Sequence, residues 1–357
     1  MVYLDSASTS LYKPTQVTTA ITEAVNSYGN PGRGAHKHAL AAAKCIFQGR
    51  KTVASFFGAS PQQVVFTSSA TESLNIAILG LLKPTDHVIT TVLEHNSVLR
   101  PLYYLESLGL GISYALTDFT KYLKSNTKAV VITAASNVTG QVTDLQQVSA
   151  FCKANGLLLI VDAAQAAGLV PLDMKNIDVL CFTGHKSLFG PQGIGGLVTK
   201  VEIPPLKYGG TGFDSFSKTQ PDKLPDSLEA GTLNTPGIAG LSAGINYART
   251  HGAKKAFDLA EWFHKQICRV SNIKIYSNLE LPIVAINIGD FDSGDVEFFL
   301  SHEFGISVRG GFHCAPLLHE TMGTKKQGIV RFSFSQFNTE NDVLAAVQAV
   351  KLIAARC

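Results

Sequence analysis

Two stretches decide how this chain reads: Leu157-Leu158-Leu159-Ile160-Val161-Asp162-Ala163-Ala164-Gln165 and Val179-Leu180-Cys181-Phe182-Thr183-Gly184-His185-Lys186. Each is a short run, apolar throughout, that stops at residues able to do chemistry. A strand with no polar alternation is one whose two faces are both covered, as in a parallel sheet between helices. Ligands of such sheets bind beyond the carboxyl ends of the strands. Asp162, Gln165, Thr183, His185 and Lys186 therefore stand where a site would form.

The same pattern extends outward. Further strand-like runs fall at 64–67, 87–91, 112–116, 129–134 and 195–199, and helical patterns at 71–82, 97–108 and 145–154. Strands alternating with crossover helices predict an α/β fold with a mostly parallel central sheet flanked by helices. The segment 207–235, rich in Gly, Pro, Ser and Asp, interrupts the rhythm as a long ordered excursion, and excursions of that length are usually functional. A helical run follows from about 236 towards 270, with room for a break. Strands near 283–288 and 330–333 and helices near 294–302 and 339–354 then suggest a smaller α+β domain. The expected division is 15–245 for the large domain and 246–357, with 1–14, for the small one.

Composition excludes several classes. Apolar residues make up 45% and charged residues 16%, a balance that buries a core and does not suit a disordered chain. Thirty basic and 27 acidic residues leave a formal charge of +3, with no basic stripe, so nucleic acid is not the expected partner. No basic-then-apolar leader and no run of about 18 apolar residues is present, which predicts a cytoplasmic protein with no membrane span. The six cysteines show neither Cys-x-x-Cys pairs nor zinc spacing, so reduced thiols and no metal are expected.

Taken singly, the strand-end residues have ordinary explanations: Asp162 as a helix cap, Lys186 as a solvated charge, Ser69 or Thr71 as a cap of the helix they precede. Taken together they meet the separate demands of pyridoxal phosphate (PLP). Lys186 can form the Schiff base, and Asp162 can keep the pyridine nitrogen protonated. The Ser68-Ser69-Ala70-Thr71 turn offers helix N-terminal amides to a phosphate. His95, after the 87–91 run, can stack on the ring.

With these residues in view, the chain resembles the class V aminotransferase-fold enzymes, and within them the cysteine desulfurase and selenocysteine lyase branch. The resemblance runs nearly end to end. It rests on Tyr3-Leu4-Asp5-Ser6-Ala7-Ser8-Thr9, Arg33-Gly34-Ala35-His36, Phe66-Thr67-Ser68-Ser69-Ala70-Thr71-Glu72, Glu94-His95-Asn96 and Ser136-Asn137-Val138-Thr139-Gly140. It continues through Asp162–Gln165, Thr183–Pro191, Glu229-Ala230-Gly231-Thr232 and Arg309-Gly310-Gly311-Phe312-His313-Cys314-Ala315. Phe312 stands where related desulfurases commonly have His.

The resemblance implies a PLP-dependent transferase of fold type I. Lys186 would carry the cofactor and move the substrate Cα proton, Asp162 would pair with the ring nitrogen, Gln165 would contact the ring hydroxyl and His95 would stack on the ring. Ala70, Thr71, Thr183 and His185 would hold the phosphate, joined by Thr232 of a neighbouring subunit. Asn137 and Arg331, with Arg309 and His36, would bind the substrate.

Cys314 decides the reaction. A free cysteine is most often a small buried hydrophobe, the reading applied to Cys45, Cys152, Cys181 and Cys268. Cys314 instead lies in a glycine-flanked loop, where Arg309 and His313 could favour the thiolate. The implied reaction turns L-cysteine into L-alanine, leaving the sulfur as a persulfide on Cys314 for a sulfur-acceptor protein. L-Selenocysteine as substrate, or another class V aminotransferase or C–S lyase reaction needing no thiol, are the alternatives. A homodimer is implied, and the 207–235 excursion could reach a neighbour's site.

Overall fold

The computed structural model describes residues 1–32, 34–116, 118–212 and 215–357. Arg33, part of one quoted motif, and residues 213 and 214 of the long excursion lie outside the described residues. The chain opens with a short strand, β1 (Val2–Tyr3), and two helices, α1 (Thr15–Ser27) and α2 (Lys37–Phe57). Next come β2 (Val64–Thr67), α3 (Ala70–Leu81), β3 (His87–Thr91), α4 (Asn96–Glu106), β4 (Gly111–Ala115) and β5 (Thr127–Thr133). Helix α5 (Leu145–Asn155), β6 (Leu158–Asp162), β7 (Val179–Thr183) and β8 (Gly195–Thr199) complete the first part. The rest comprises α6 (Thr235–His251), α7 (Lys254–Ile267), β9 (Ile273–Ile275) and β10 (Ile283–Ile288). It ends with α8 (Ser293–Phe304), β11 (Ile306–Ser307), α9 (Pro316–Met322), β12 (Val330–Ser333) and α10 (Glu340–Ala354).

Seven strands form one sheet in the order β2-β8-β7-β6-β5-β3-β4. Strand β8 runs antiparallel to both neighbours, and the other adjacent pairs are parallel. The apolar strands behave as expected of a doubly covered sheet, because alternate residues enter different cores. Phe66, Val130, Val161, Leu180 and Phe182 pack on one face with α2, α5 and α6. Val65, Val131, Ile160, Val179 and Cys181 pack on the other with α3 and α4. Register pairs Thr133 with Asp162 and Asp162 with Cys181, so β5, β6 and β7 end side by side.

Glycine makes one close approach possible. A Cβ on Gly195 would lie 2.6 Å from the Phe182 carbonyl oxygen and 2.9 Å from Ser69 Cα. The turn that opens α3 can therefore rest directly on the sheet. Helices α1 and α2 were not read from sequence, although both pack on α6, where Gly49 leaves space for Ile238. The helical run after residue 235 breaks at Gly252, whose φ of 62° ends α6.

A second, antiparallel sheet, β12-β10-β9, is covered by α7, α8 and α10. The N-terminal segment joins it: Leu4 is fully buried in that core, and its carbonyl accepts from Ser333 N at 2.7 Å. This brings Asp5 and Ser8 back to the strand ends of the large sheet. The excursion 207–235 has no helix or strand before Thr235 among its described residues. It is tied down by the Glu229–Arg50 ion pair and by Lys207 to Glu72 at 2.6 Å. Among the described residues no helix is long and apolar enough to cross a membrane, and no cluster of His, Cys, Asp or Glu could hold a metal ion.

Candidate active site

The carboxyl ends of β2, β3, β5, β6 and β7 open into one cleft, with about 780 Å³ of empty space. Fourteen residues are named from sequence for binding or catalysis, and eleven of them line this cleft. They are Ala70, Thr71, His95, Asn137, Asp162, Gln165, Thr183, His185, Lys186, Arg309 and Arg331.

Lys186 lies three residues beyond β7. Burial pushes its amine down to about 8, with Asp162 pulling the other way and Arg331 and Arg309 adding to the fall. Asp162 is the last residue of β6, buried, and its Oδ1 accepts from Ala164 N at 2.9 Å. Burial raises its pKa, opposed by the Ala164 amide and Lys186. Gln165 donates Nε2 to the Ala7 carbonyl at 2.9 Å, which orients the amide.

Ser69 caps α3 by accepting from Glu72 N at 3.3 Å, and Glu72 accepts from Ser68 N at 2.6 Å. This reciprocal capping holds Ala70 and Thr71 in the first turn, where amide N–H groups lack helical partners. Thr71 Oγ1 meets Ser97 Oγ at 2.8 Å. Ser97 in turn meets His95 Nδ1 through its hydroxyl at 2.9 Å and its backbone N–H at 3.0 Å. The backbone N–H can only donate, so Nδ1 accepts and the ring proton sits on Nε2. Burial, with Lys186, Arg309, Arg100 and Arg331 nearby, lowers His95 to about 4 and keeps the ring neutral. A neutral imidazole suits ring stacking beside those cations.

Arg331 is the largest fully buried side chain among the described residues. Its Nη2 donates to Asp5 Oδ1 at 2.9 Å and Ser8 Oγ at 2.7 Å, and its Nη1 to the Asn137 carbonyl at 2.8 Å. Arg309 Nη1 donates to the same Ser8 hydroxyl at 3.2 Å. Asp5, Ser8 and Ser97 were not assigned roles from sequence. Asp5 and Ser8 lay inside a quoted motif, but nothing local shows that the N-terminus folds back onto β12.

One expectation of a residue in its own chain's cleft changes. His36 does not reach its own chain's cleft: it is exposed, and its Nδ1 accepts from Ala39 N to cap α2. Thr232 is exposed and lines a separate cavity with Arg50 and Glu229, so any contact with a cleft would need another copy of the chain. His313 also differs from expectation beside Cys314. It is buried, held well below the usual histidine pKa by that burial, and its Nε2 faces the Arg309 carbonyl at 3.2 Å. A neutral ring supplies no positive charge to the thiol.

Cys314 is half-buried and lines a neighbouring groove with Asn96, Arg100 and Tyr104. Thr71, His95 and Ser97 line both the groove and the cleft, so His95 stands between Lys186's chamber and the thiol.

The cleft fits PLP on its own chemistry. Thr183 Oγ1, His185 Nδ1 and Arg331 Nε are buried without protein partners, which is costly unless a ligand satisfies them. With the free amides of α3 they form a donor set for anionic oxygens, beside an amine and a buried carboxyl.

Residues 2–345 match the class-V aminotransferase family model. A probable cysteine desulfurase of Methanothermobacter thermautotrophicus is 32% identical, over 99% of this chain and 94% of its own length. A cysteine desulfurase of Yersinia pseudotuberculosis is 30% identical, over 99% and 93%. Among solved structures, an apo cysteine desulfurase from Thermococcus onnurineus superposes with a TM-score of 0.90 at 30% identity, covering 100% of this chain and 95% of that one. A cysteine desulfurase from Escherichia coli gives 0.89 at 29%, covering 99% and 94%. This chain belongs to the class-V aminotransferase family.

Proposed function

We propose that the protein is a PLP-dependent cysteine desulfurase that releases L-alanine from L-cysteine and takes the sulfur onto Cys314. The relatives just described support the reading. The observation that carries it is the thiol of Cys314 in a groove that shares His95 with the lysine-bearing cleft.

Bound PLP supplies an aldehyde for covalent attachment and a ring that withdraws electrons from the substrate's Cα. Lys186 would hold that aldehyde, with Asp162 as counter-charge to the ring nitrogen and Gln165 at the ring hydroxyl. His95 would cover the ring face. Ala70, Thr71, Thr183 and His185 would hold the phosphate, joined by Thr232 of a second copy. Arg331, with Arg309 and Asn137 beside it, would bind the substrate carboxylate; a guanidinium matches that group in two directions. An amine with a pKa of about 8 exchanges a proton near neutral pH, which suits Lys186 to taking the proton from Cα. The Cys314 thiolate then attacks the substrate sulfur. A sulfur–sulfur bond forms as the Cβ–S bond breaks, and the electron pair stays with Cβ, which takes a proton and leaves in alanine.

The dimer belongs to the same proposal. Tyr208 and Phe216 of the excursion are strongly exposed, as suits a surface covered by another copy. We also take 15–245 and 246–357, with 1–14, as the two domains; α6 carries through residue 245 to His251, so the chain turns at Gly252.

The test is addition of L-cysteine to the PLP-loaded protein. Alanine and sulfide in equal amounts under reductant are expected, lost in Cys314→Ala while the cofactor's absorbance is retained. Full sulfide release by that variant would overturn the proposal.

A further inference from the structure

The Cys314 loop carries an unusual backbone. His313 and Cys314 both have positive φ, 51° and 56°, and they are the one adjacent pair of non-glycine residues in that region among the described residues. Side chains with a Cβ enter it at a cost and stay only where their surroundings hold them. The surroundings here are specific. The carbonyl of Cys314 accepts from Asn96 N at 2.7 Å, and the carbonyl of His313 accepts from Asn137 Nδ2 at 2.7 Å.

Asn137 is engaged at both ends. Its backbone carbonyl takes Arg331 Nη1 at 2.8 Å while its side-chain amide holds the His313 carbonyl. The loop returns to the same arginine: His313 Nε2 meets the Arg309 carbonyl, which also accepts from Arg331 N at 2.8 Å. A closed circuit thus joins Asn137, His313, Arg309 and Arg331, with Asn137 buried at its centre.

Resting on the function proposed above, we infer that Asn137 is a positioning residue for Cys314: its amide fixes the left-handed His313–Cys314 backbone and couples that thiol to Arg331. Carboxylate capture and the placement of the thiol then depend on one side chain.

The experiment uses Asn137→Ala and the isosteric Asn137→Asp, which sets an oxygen against the His313 carbonyl. Alkylation of cofactor-free protein by iodoacetamide, followed peptide by peptide in a mass spectrometer, reads the loop directly. Losing the donor leaves that carbonyl without its partner, so Cys314 should react faster by on the order of tenfold. The exposed Cys268 should keep its rate, and the buried Cys152 and Cys181 should stay protected, which shows that the variant is folded. In loaded enzyme, sulfide release from L-cysteine should fall further than exchange of the L-alanine Cα hydrogen with deuterated water, a step that needs no thiol. An unchanged Cys314 rate, with both activities falling in proportion, would confine Asn137 to the substrate carboxylate and overturn the inference. If wild-type protein releases no sulfide but the Cys314 rate responds, the desulfurase reading fails and the loop assignment stands. If Asn137→Ala does not fold, the aspartate variant carries the same comparison.

Discussion

The amine of Lys186 gives a prediction with a worked magnitude. Burial lowers its pKa from 10.5 to about 8. Only the unprotonated amine attacks an aldehyde. At pH 7 a lysine of pKa about 8 is roughly one-tenth unprotonated, whereas one at 10.5 is roughly one part in 3,000. Burial therefore raises the reactive fraction by about 300-fold. Mixing cofactor-free protein with PLP and following absorbance should show capture that quickens tenfold per pH unit below 8 and levels off above it. Lys13 and Glu94 also lie near 8, so the profile belongs to Lys186 only if it persists in Lys13→Gln and Glu94→Gln. His95 and His185 are held near 4 by burial, and a phosphate monoester, with a second pKa of about 6, is about nine-tenths ionised by pH 7. Asp162→Asn should move the midpoint down, because the carboxylate favours the protonated amine. That variant would capture PLP faster at pH 7 while losing the counter-charge to the ring nitrogen. A rate that keeps climbing past pH 9.5 would mean an ordinary lysine and would refute the argument. A midpoint that rises in Asp162→Asn would refute the role given to that carboxyl.

Arg50→Ala should destabilise the protein by about 3–5 kcal/mol in urea unfolding, because Glu229 would remain buried without its partner, and Arg50→Met with Glu229→Gln should recover part of that loss. A loss below about 1 kcal/mol would show the pair to be solvated. Stability should also fall as pH drops from 6.5 towards 4. His95 and His185 stay neutral in the folded state, so the unfolded chain binds protons first. Glu94 has the opposite sign: fully buried, it keeps its proton up to about 8, so its contribution declines as pH rises from 4.5 to about 8. Glu94→Gln should therefore gain on wild type across that interval; equal curves would show the carboxyl ionised in the fold.

Much of the large sheet was legible because it is written in local pattern. Runs with no polar alternation gave β2, β3 and β8 at their observed limits, and β5, β6 and β7 within a residue or two. Asp162 proved to be the final strand residue, not the one after it, because its backbone still pairs with Thr133 and Cys181. Helices α1 and α2 escaped notice since their partner, α6, lies some 200 residues further on.

The composition of the site was likewise present in the sequence: a lysine, a carboxyl, a histidine and small residues before a helix, each at or just beyond a strand end. Those assignments depend on neighbours along the chain, which period and spacing report. What only the tertiary structure decided is how the pieces meet across long separations. Asp5 pairs with Arg331 because the N-terminus adds to β12. His313 is neutral because packing buries it, and His36 is spent on a helix cap. Cys314 shares a groove with His95, where Asn96 and Asn137 hold its loop in a backbone form that the local sequence does not favour. Burial and long-range hydrogen bonds are properties of the packed chain, so no local pattern could have announced them.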